Sequence, residues 1–172
     1  MLIPNRGIKE ALLAWGGPDA DKQDFSLPDL SVEVKSYKSS KGPYITISSS
    51  HQLFPNSKSL YLVAYGLTVS ERGNSIIDLI TKIDDILIEE SADLIQFFES
   101  KLIAYGYMPG VTYNTLYNFI ADSIRVFEVE EKFPSILPHQ IPPEIVSINY
   151  TIDLQLCTKF EKTISLLLKT TN

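Results

Sequence analysis

An uncharged apolar run, LYLVAYGLTV, spans residues 60–69 and limits the folds open to this chain. Valine and tyrosine, which favour strands, recur in it. A run of about ten residues is too short for a helix that crosses a membrane, which needs about 20. Such a run is typical of a strand buried on both faces of its sheet. It therefore predicts a strand without a solvent-exposed face.

Two stretches before this run alternate between apolar and polar side chains. In residues 31–37, two valines lie on one face of the predicted strand, and Glu33 and Lys35 lie on the other. Residues 44–48 alternate again after a loop that contains Gly42-Pro43. We therefore expect the two stretches to pair as a hairpin.

Apolar residues at helical spacing predict three helices. A short helix covers residues 8–15 and is stopped by Gly16-Gly17-Pro18. Two amphipathic helices follow the apolar run, at residues 75–88 and 92–105, and Ser91 is a suitable N-cap for the second. Their apolar stripes are expected to face the core.

The C-terminal part of the sequence is less regular. Residues 124–129 alternate as a strand does, and residues 115–123 are compatible with a helical turn. After a proline-rich connection, residues 145–156 predict a strand and residues 160–168 a closing helix. We predict a single α/β domain of the α+β type over residues 1–172, with a candidate active-site core at 1–70 and a helical pair and C-terminal strands at 71–172.

The bulk properties exclude several classes of protein. The single cysteine, Cys157, rules out a disulfide framework within the chain and is expected in the core. No apolar run reaches the length of a membrane helix, and the first residues lack the pattern of a secretory signal. We therefore expect a cytoplasmic protein with no membrane partner.

Charge is distributed unevenly along the chain, whose net charge is -6. Between residues 36 and 70 there is no Asp or Glu, and the charged residues are Lys38, Lys41 and Lys58. From residue 71 onwards, fifteen acidic residues face eight basic ones. DNA would be attracted to the first part and repelled by the second, which makes the three lysines candidate DNA contacts. Chance variation on a solvated surface explains the pattern equally well.

One group of residues has the composition of a metal site. Glu33 and Lys35 emerge on the same face of a strand, and Asp24 lies a short polar loop upstream. Two carboxylates beside one ammonium group suit Mg²⁺, and phosphodiester hydrolysis needs a cation and an activated water. Taken alone, a Glu-x-Lys triplet is more often a simple ion pair on a strand. Ser48, Ser49 and Ser50 offer hydroxyls to a phosphate, although a polar strand end explains them as well.

Several short strings together carry a resemblance that runs through most of the chain. They are Trp15-Gly16-Gly17-Pro18, Asp24-Phe25-Ser26, Val32-Glu33-Val34-Lys35, Ile47-Ser48-Ser49 with Gln52-Leu53, Leu60-Tyr61-Leu62-Val63, Phe133-Pro134, Ile145 and Tyr150-Thr151-Ile152-Asp153-Leu154. The pattern resembles a bacterial family catalogued in the PD-(D/E)XK nuclease superfamily. The resemblance implies a restriction-endonuclease-like fold, a mixed central sheet flanked by helices with a C-terminal strand-and-helix extension. It also implies an endonuclease that cuts DNA with Mg²⁺ or Mn²⁺ in a restriction or phage-defence system.

The resemblance also implies roles for individual residues. Asp24 and Glu33 would hold the metal, and Lys35 would position the water or stabilise developing charge. Glu10 resembles the glutamate that many such nucleases place beside the metal, although a solvated helix face is the alternative. Gln52 matches a glutamine of the family pattern, and a hydrogen bond within its loop is the alternative.

Two departures from the family pattern keep other functions open. Gln23 stands where proline often precedes the aspartate, and the chain begins just before the Trp-Gly-Gly-Pro string, without the upstream segment expected of the family. The alternative function is therefore an inactive DNA-binding or accessory subunit, acting as a homodimer or with a partner chain. A structural interaction protein, whose Glu-x-Lys is only an ion pair, is the third hypothesis.

Overall fold

The apolar run lies in the middle of a sheet in the computed structural model of the chain. It belongs to a long strand, Ser59–Asn74, whose residues 60–64 are buried. The prediction of burial is wrong for Thr68 and Val69, which are exposed because the strand runs on beyond the layers that cover the sheet. The structure describes residues 2–17, 23–55, 59–108, 110–111 and 116–164.

Along the described residues, two helices precede four strands, and a second pair of helices precedes three further strands. The helices are α1 (Ile3–Arg6), α2 (Ile8–Ala14), α3 (Ile76–Ile88) and α4 (Ala92–Ala104). The strands are β1 (Phe25–Ser26), β2 (Leu30–Lys38), β3 (Tyr44–Ile47), β4 (Ser59–Asn74), β5 (Phe119–Glu128), β6 (Tyr150–Asp153) and β7 (Glu161–Lys162).

Five of these strands form the central sheet, in the order β1-β2-β4-β5-β7. β2 and β4 run parallel, and the other neighbours are antiparallel, so the sheet is mixed. The parallel pair sets Glu33 beside Leu62 and Lys35 beside Ala64. The predicted mixed central sheet flanked by helices is therefore confirmed.

Each face of the sheet has its own core. On one face, Leu30 and Val32 of β2 pack with Ala11 and Ala14 of α2. On the other face, Leu62 and Phe127 pack under the two-stranded β3–β6 sheet and a 3₁₀ helix at Leu154–Phe160. Glu33 and Lys35 belong to this second face because they alternate with the valines of β2.

The expected hairpin between residues 31–37 and 44–48 is wrong. β3 pairs instead with β6, with Ile45 opposite Ile152, in a separate two-stranded sheet. One edge of β2 pairs with β4 along the whole strand, and the other edge pairs with β1 at Ser31 and Val32. A 3₁₀ turn at Ser39–Lys41 therefore leads the chain out of the central sheet and onto its second face.

The two amphipathic helices form as predicted. Ser75 caps α3 and shares reciprocal hydrogen bonds with Asp78, which is a capping box. Ser91 caps α4 as expected, by accepting a hydrogen bond from the N–H of Leu94. No helix among the described residues is long and apolar enough to span a membrane.

The C-terminal predictions need three corrections. The helical turn at 115–123 is wrong for residues 119–123, which extend β5 because β4 is long enough to pair with them. The strand predicted at 145–156 is confined to β6, and a 3₁₀ helix follows it. The closing helix is wrong at residues 161–162, which form β7, and residues 165–168 lie outside the described part of the chain. Cys157 is buried in the core as predicted.

Candidate active site

Asp24 and Glu33 meet where β1 joins the edge of β2. Phe25 pairs with Val32 in antiparallel register, so Asp24 falls opposite Glu33 one residue further along. Asp24 Oδ2 accepts a hydrogen bond from the N–H of Val34 at 2.7 Å. The main chain of Asp24 also hydrogen-bonds the Glu33 carboxylate. The strand pairing itself therefore brings the two carboxylates together.

Lys35 completes the group on the same face of β2. Its Nζ lies 2.7 Å from Glu33 Oε1, and its side chain stays 17% exposed while that of Glu33 is 2% exposed. The Lys35 side chain is thus partly exposed, whereas the Glu33 side chain is almost fully buried. Asp24, Glu33 and Lys35 form one cluster, which we call the Asp–Glu–Lys cluster.

Burial changes the acidity of Glu33. Its carboxyl lies on the face that carries the second core, and the loss of water raises its pKa from 4.5 to about 7. Lys35 opposes this rise through its hydrogen bond and positive charge, whereas the negative charge of Asp24 adds to it. Near neutral pH, the folded protein therefore holds Glu33 at a balance between its protonated and its charged form.

The chemistry of the cluster fits a divalent cation. Across the described ranges, no three His, Cys, Asp or Glu side chains lie close enough to hold a metal together. Mg²⁺ is commonly bound by one or two carboxylates, with water and substrate phosphate as the remaining ligands. Asp24 and Glu33 supply such a pair, and a cation would offset the cost of keeping the buried Glu33 charged. Asp24 and Glu33 therefore fit an open metal site, in which water and substrate complete the ligands, better than a site whose ligands all come from the protein.

Glu10 lies in a different cluster. It accepts a hydrogen bond from Arg6 at 3.2 Å, and Arg6 also binds Asp29 through two hydrogen bonds of 3.0 and 2.8 Å. α2, which carries Glu10, covers the opposite face of the sheet from Glu33. The structure therefore places Glu10 beside the start of β2 rather than in the Asp–Glu–Lys cluster.

Gln52 lies in a turn next to the cluster. Its Oε1 accepts hydrogen bonds from the N–H and the hydroxyl of Ser48, at 3.0 and 3.3 Å. These are the hydrogen bonds within its own loop that the sequence left open as an alternative. Gln52 therefore stabilises the turn at residues 48–54, which we call the serine turn.

Gln23 attaches the serine turn to the cluster, and sequence reasoning missed this role. Its side chain is buried, and Nε2 donates to the carbonyls of His51, at 3.0 Å, and Phe54, at 3.3 Å. Gln23 directly precedes Asp24, so the turn is fixed beside the carboxylate pair. The sequence contained one signal of this role. Glutamine, whose side-chain amide has two N–H donors, stands at a position where proline, which has no N–H donor, is common.

The candidate DNA-contacting lysines have mixed surroundings. Lys38 ends β2 and Lys41 ends the 3₁₀ turn, and both are exposed; Lys58 lies outside the described residues. Asp122 of β5 accepts a hydrogen bond from the hydroxyl of Ser39 at 2.6 Å. The acidic second half of the chain therefore places a carboxylate, Asp122, beside this region, because β5 pairs with β4 and β4 pairs with β2.

Comparison with known proteins yields one family. No curated protein and no solved structure matches the chain. The model of a nuclease-like family matches residues 1–155, which include the core on the α2 face of the sheet and the Asp–Glu–Lys cluster. The mixed sheet flanked by helices is consistent with the PD-(D/E)XK fold, and Asp24 and Glu33-Val34-Lys35 supply the residue types of that motif. The chain therefore belongs to the family described as "Putative PD-(D/E)XK family member, (DUF4420)".

Proposed function

We propose that this protein is a DNA endonuclease that hydrolyses phosphodiester bonds with Mg²⁺ or Mn²⁺ bound to Asp24 and Glu33. The observation that supports the proposal most is the meeting of two carboxylates opposite each other across β1 and β2, with Lys35 Nζ 2.7 Å from Glu33. Membership of a nuclease-like family supports the same reaction.

Asp24 and Glu33 would bind the divalent cation and fix its position. A divalent cation in this site supplies charge stabilisation and an acidified water. Asp24 is held in place by the N–H of Val34, so its carboxylate does not need to reorganise when the cation arrives. Glu33 is shielded from water, so it presents its charge in a medium where charge interactions are strong.

Lys35 would act on the substrate. In the absence of a cation its ammonium group neutralises Glu33. With Asp24 and Glu33 holding a cation, Lys35 would be free to turn towards the phosphate and to stabilise the negative charge that develops on it. The same residue would thus neutralise Glu33 in the empty site and take part in the reaction in the loaded one.

Glu10 and Gln52 take indirect parts in this proposal. Glu10 supports Arg6, which is bound to Asp29 at the start of the strand that carries the cluster. Gln52 shapes the serine turn beside Asp24. Both residues would affect the reaction by positioning the elements that touch DNA.

Lys38, Lys41 and Lys58 are the proposed DNA contacts. They are few, and each neutralised phosphate adds only about 0.9 to the slope of binding against salt on duplex DNA. We therefore expect weak binding by this chain alone, with a shallow dependence on salt. A homodimer or a partner subunit of a restriction or phage-defence system would supply further contacts.

The net charge of -6 and the position of Asp122 beside Ser39 favour a second candidate function. Both features repel DNA, as expected of an accessory subunit that keeps the nuclease fold and relies on another chain for binding. In that case the purified protein would have no cleavage activity of its own.

A cleavage assay with a matched control tests the proposal. Duplex and single-stranded DNA are incubated with Mn²⁺ and with wild type, Glu33→Gln or Lys35→Ala. We expect each substitution to slow cleavage by roughly 100-fold or more, because Glu33→Gln removes the charge that would hold the cation and Lys35→Ala removes the charge that would stabilise the reacting phosphate. The control pair is Glu128→Gln and Lys162→Ala, an ion pair of 3.3 Å elsewhere on the same sheet, which should leave the rate within about twofold.

The outcomes separate the candidates. Cleavage that survives Lys35→Ala would overturn the assigned mechanism. No cleavage by wild type, together with intact metal binding, would favour the accessory subunit.

A further inference from the structure

A pocket of about 330 Å³ lies beside the candidate active site. The serine turn forms one wall, with Ser48, Ser49 and His51. The proline-rich segment before β6 forms the other, with Pro142 and Ile145 among its residues. None of the described residues that line the pocket is acidic, in a protein whose net charge is -6. The pocket thus combines one polar wall with one apolar wall, and its described lining residues carry no carboxylate, although the exposed Glu144 stands between Pro143 and Ile145.

We infer that this pocket binds a single unpaired nucleotide of the DNA strand next to the bond that is cut. The inference rests on the proposed nuclease function and adds the class of substrate, which is DNA with a single-stranded end or segment. A base inside a duplex is stacked on its neighbours and has to leave the stack before it enters a protein pocket.

The position of the pocket connects it to the carboxylate pair. The carbonyl of His51 accepts a hydrogen bond from Gln23 at 3.0 Å, and Gln23 is bonded directly to Asp24. The wall of the pocket is therefore one side chain away from the proposed metal ligand. A strand whose phosphate lies at Asp24 and Glu33 would bring its adjacent nucleotide to the serine turn.

The polar wall suits a phosphate and the edge of a base. Ser49 Oγ accepts the N–H of His51 at 3.2 Å, and the His51 ring lies 3.4 Å from the same hydroxyl. A hydroxyl both donates and accepts, so Ser49 can serve this turn and a ligand together. His51 is exposed, and its flat ring offers a surface on which any base can stack.

The apolar wall suits the sugar and the face of the base. Pro142 and Ile145 are exposed, although the pocket that they line is concave. Small-molecule sites are mostly apolar with a few polar groups that fix orientation, in volumes of about 300–1,000 Å³. The pocket falls at the small end of this range, which fits one nucleotide rather than a longer segment.

Binding of labelled oligonucleotides in EDTA tests the inference without cleavage. The probes are a 12-nucleotide single strand and a blunt duplex of the same length, followed by fluorescence anisotropy. We expect wild type to prefer the single strand and His51→Ala to weaken that binding by about tenfold, as loss of a stacking partner does. The matched control is His139→Ala, the other histidine, which does not line the pocket and should change binding by less than about twofold.

A second pair of variants introduces charge into the proline-rich segment before β6. Ser147→Glu places a carboxylate on the lining of the pocket, whereas Asn149→Glu places one two residues away, outside the lining. Both positions are exposed, so neither change threatens the fold. We expect the first to weaken binding of the single strand by roughly tenfold and the second to have a clearly smaller effect.

The result that would overturn the inference is equal binding of single strand and duplex, absence of binding to either, or equal effects of His51→Ala and His139→Ala. These outcomes are independent of catalysis. The nuclease proposal is tested separately by Mn²⁺ and by Glu33→Gln, so a failure of the pocket and a failure of the nuclease function can be distinguished.

Discussion

At the scale of single residues, Glu33 combines burial with charge. Its carboxylate shares a sheet face with Leu62 and lies between Lys35 on one side and Asp24 on the other. Water is excluded from it, which raises its pKa to about 7. A carboxylate whose charged form is destabilised by burial gains stability from a bound cation, and such groups are concentrated at functional sites.

This pKa predicts how stability depends on pH. Since the pKa of Glu33 is about 7 in the folded state and 4.5 when exposed, the folded protein binds more protons than the unfolded chain between these values. Stability from this group is therefore fully present below pH 4.5 and is lost as the pH rises through 7. At 1.36 kcal/mol per pKa unit, the loss amounts to about 3 kcal/mol.

Urea unfolding in EDTA at pH 5 and pH 8 measures this loss. Wild type should lose about 2.5 kcal/mol of unfolding free energy relative to Glu33→Gln between pH 5 and pH 8, because the amide cannot ionise and part of the loss has already occurred at pH 5. Addition of Mn²⁺ at pH 8 should recover much of the difference in wild type alone. Parallel pH profiles for the two proteins would contradict the assigned environment of Glu33.

At the scale of elements, the serine turn depends on Gln23. The Gln23 amide satisfies the carbonyls of His51 and Phe54 from a buried position. Gln23→Ala would remove both hydrogen bonds, at a cost of about 0.5–1.5 kcal/mol each, although the carbonyl of His51 would keep the N–H of Phe54. The turn should open more often, while β2, which is held by two neighbouring strands, should not change.

Amide hydrogen exchange reports this opening directly. The N–H groups of Ser48, Gln52 and Phe54 are hydrogen-bonded within the turn and are suitable probes. In Gln23→Ala they should exchange roughly tenfold faster or more, which corresponds to about 1.4 kcal/mol. Gln96→Ala, on an exposed position of α4, is the control and should leave them unchanged. Unchanged protection in Gln23→Ala would show that the turn is held by other contacts.

The sequence predicted those elements whose pattern is local. The alternation of β2 and the helical spacing and caps of α3 and α4 are properties of a few consecutive residues, and the structure contains all three elements. The same alternation set Glu33 and Lys35 on one face. The placement of Asp24 opposite Glu33 needed only a short connection along the chain.

The missed features depend on contacts between distant parts of the chain. β3 alternates well enough to pair with any free edge, and its partner β6 lies about a hundred residues away. Residues 119–123 form part of β5 because they pair with the edge of β4. This pairing outweighs their local preference for a helical turn. The hydrogen bonds from Gln23 to His51 and Phe54 also span roughly thirty residues. No local sequence pattern predicts them.

At the scale of the whole molecule, each face of the central sheet is covered by its own apolar cluster. α2 covers one face of the sheet, and β3 and β6 cover the other. The Asp–Glu–Lys cluster lies at the edge where β1 ends the sheet, with the serine turn beside it. Lys38 and Lys41 lie further along the same chain segment, where a DNA strand that reaches the cluster would pass.

The central claim is that Asp24 and Glu33 together bind a divalent cation, and calorimetric titration with Mn²⁺ at pH 8 measures it most directly. Wild type and Glu128→Gln, a glutamate of the same sheet that is paired with Lys162, should bind Mn²⁺ equally. Asp24→Asn and Glu33→Gln should each weaken binding by roughly tenfold or more, since even partners one shell further out contribute about 10- to 100-fold. Equal binding by wild type and Glu33→Gln, or no binding by wild type, would contradict the account.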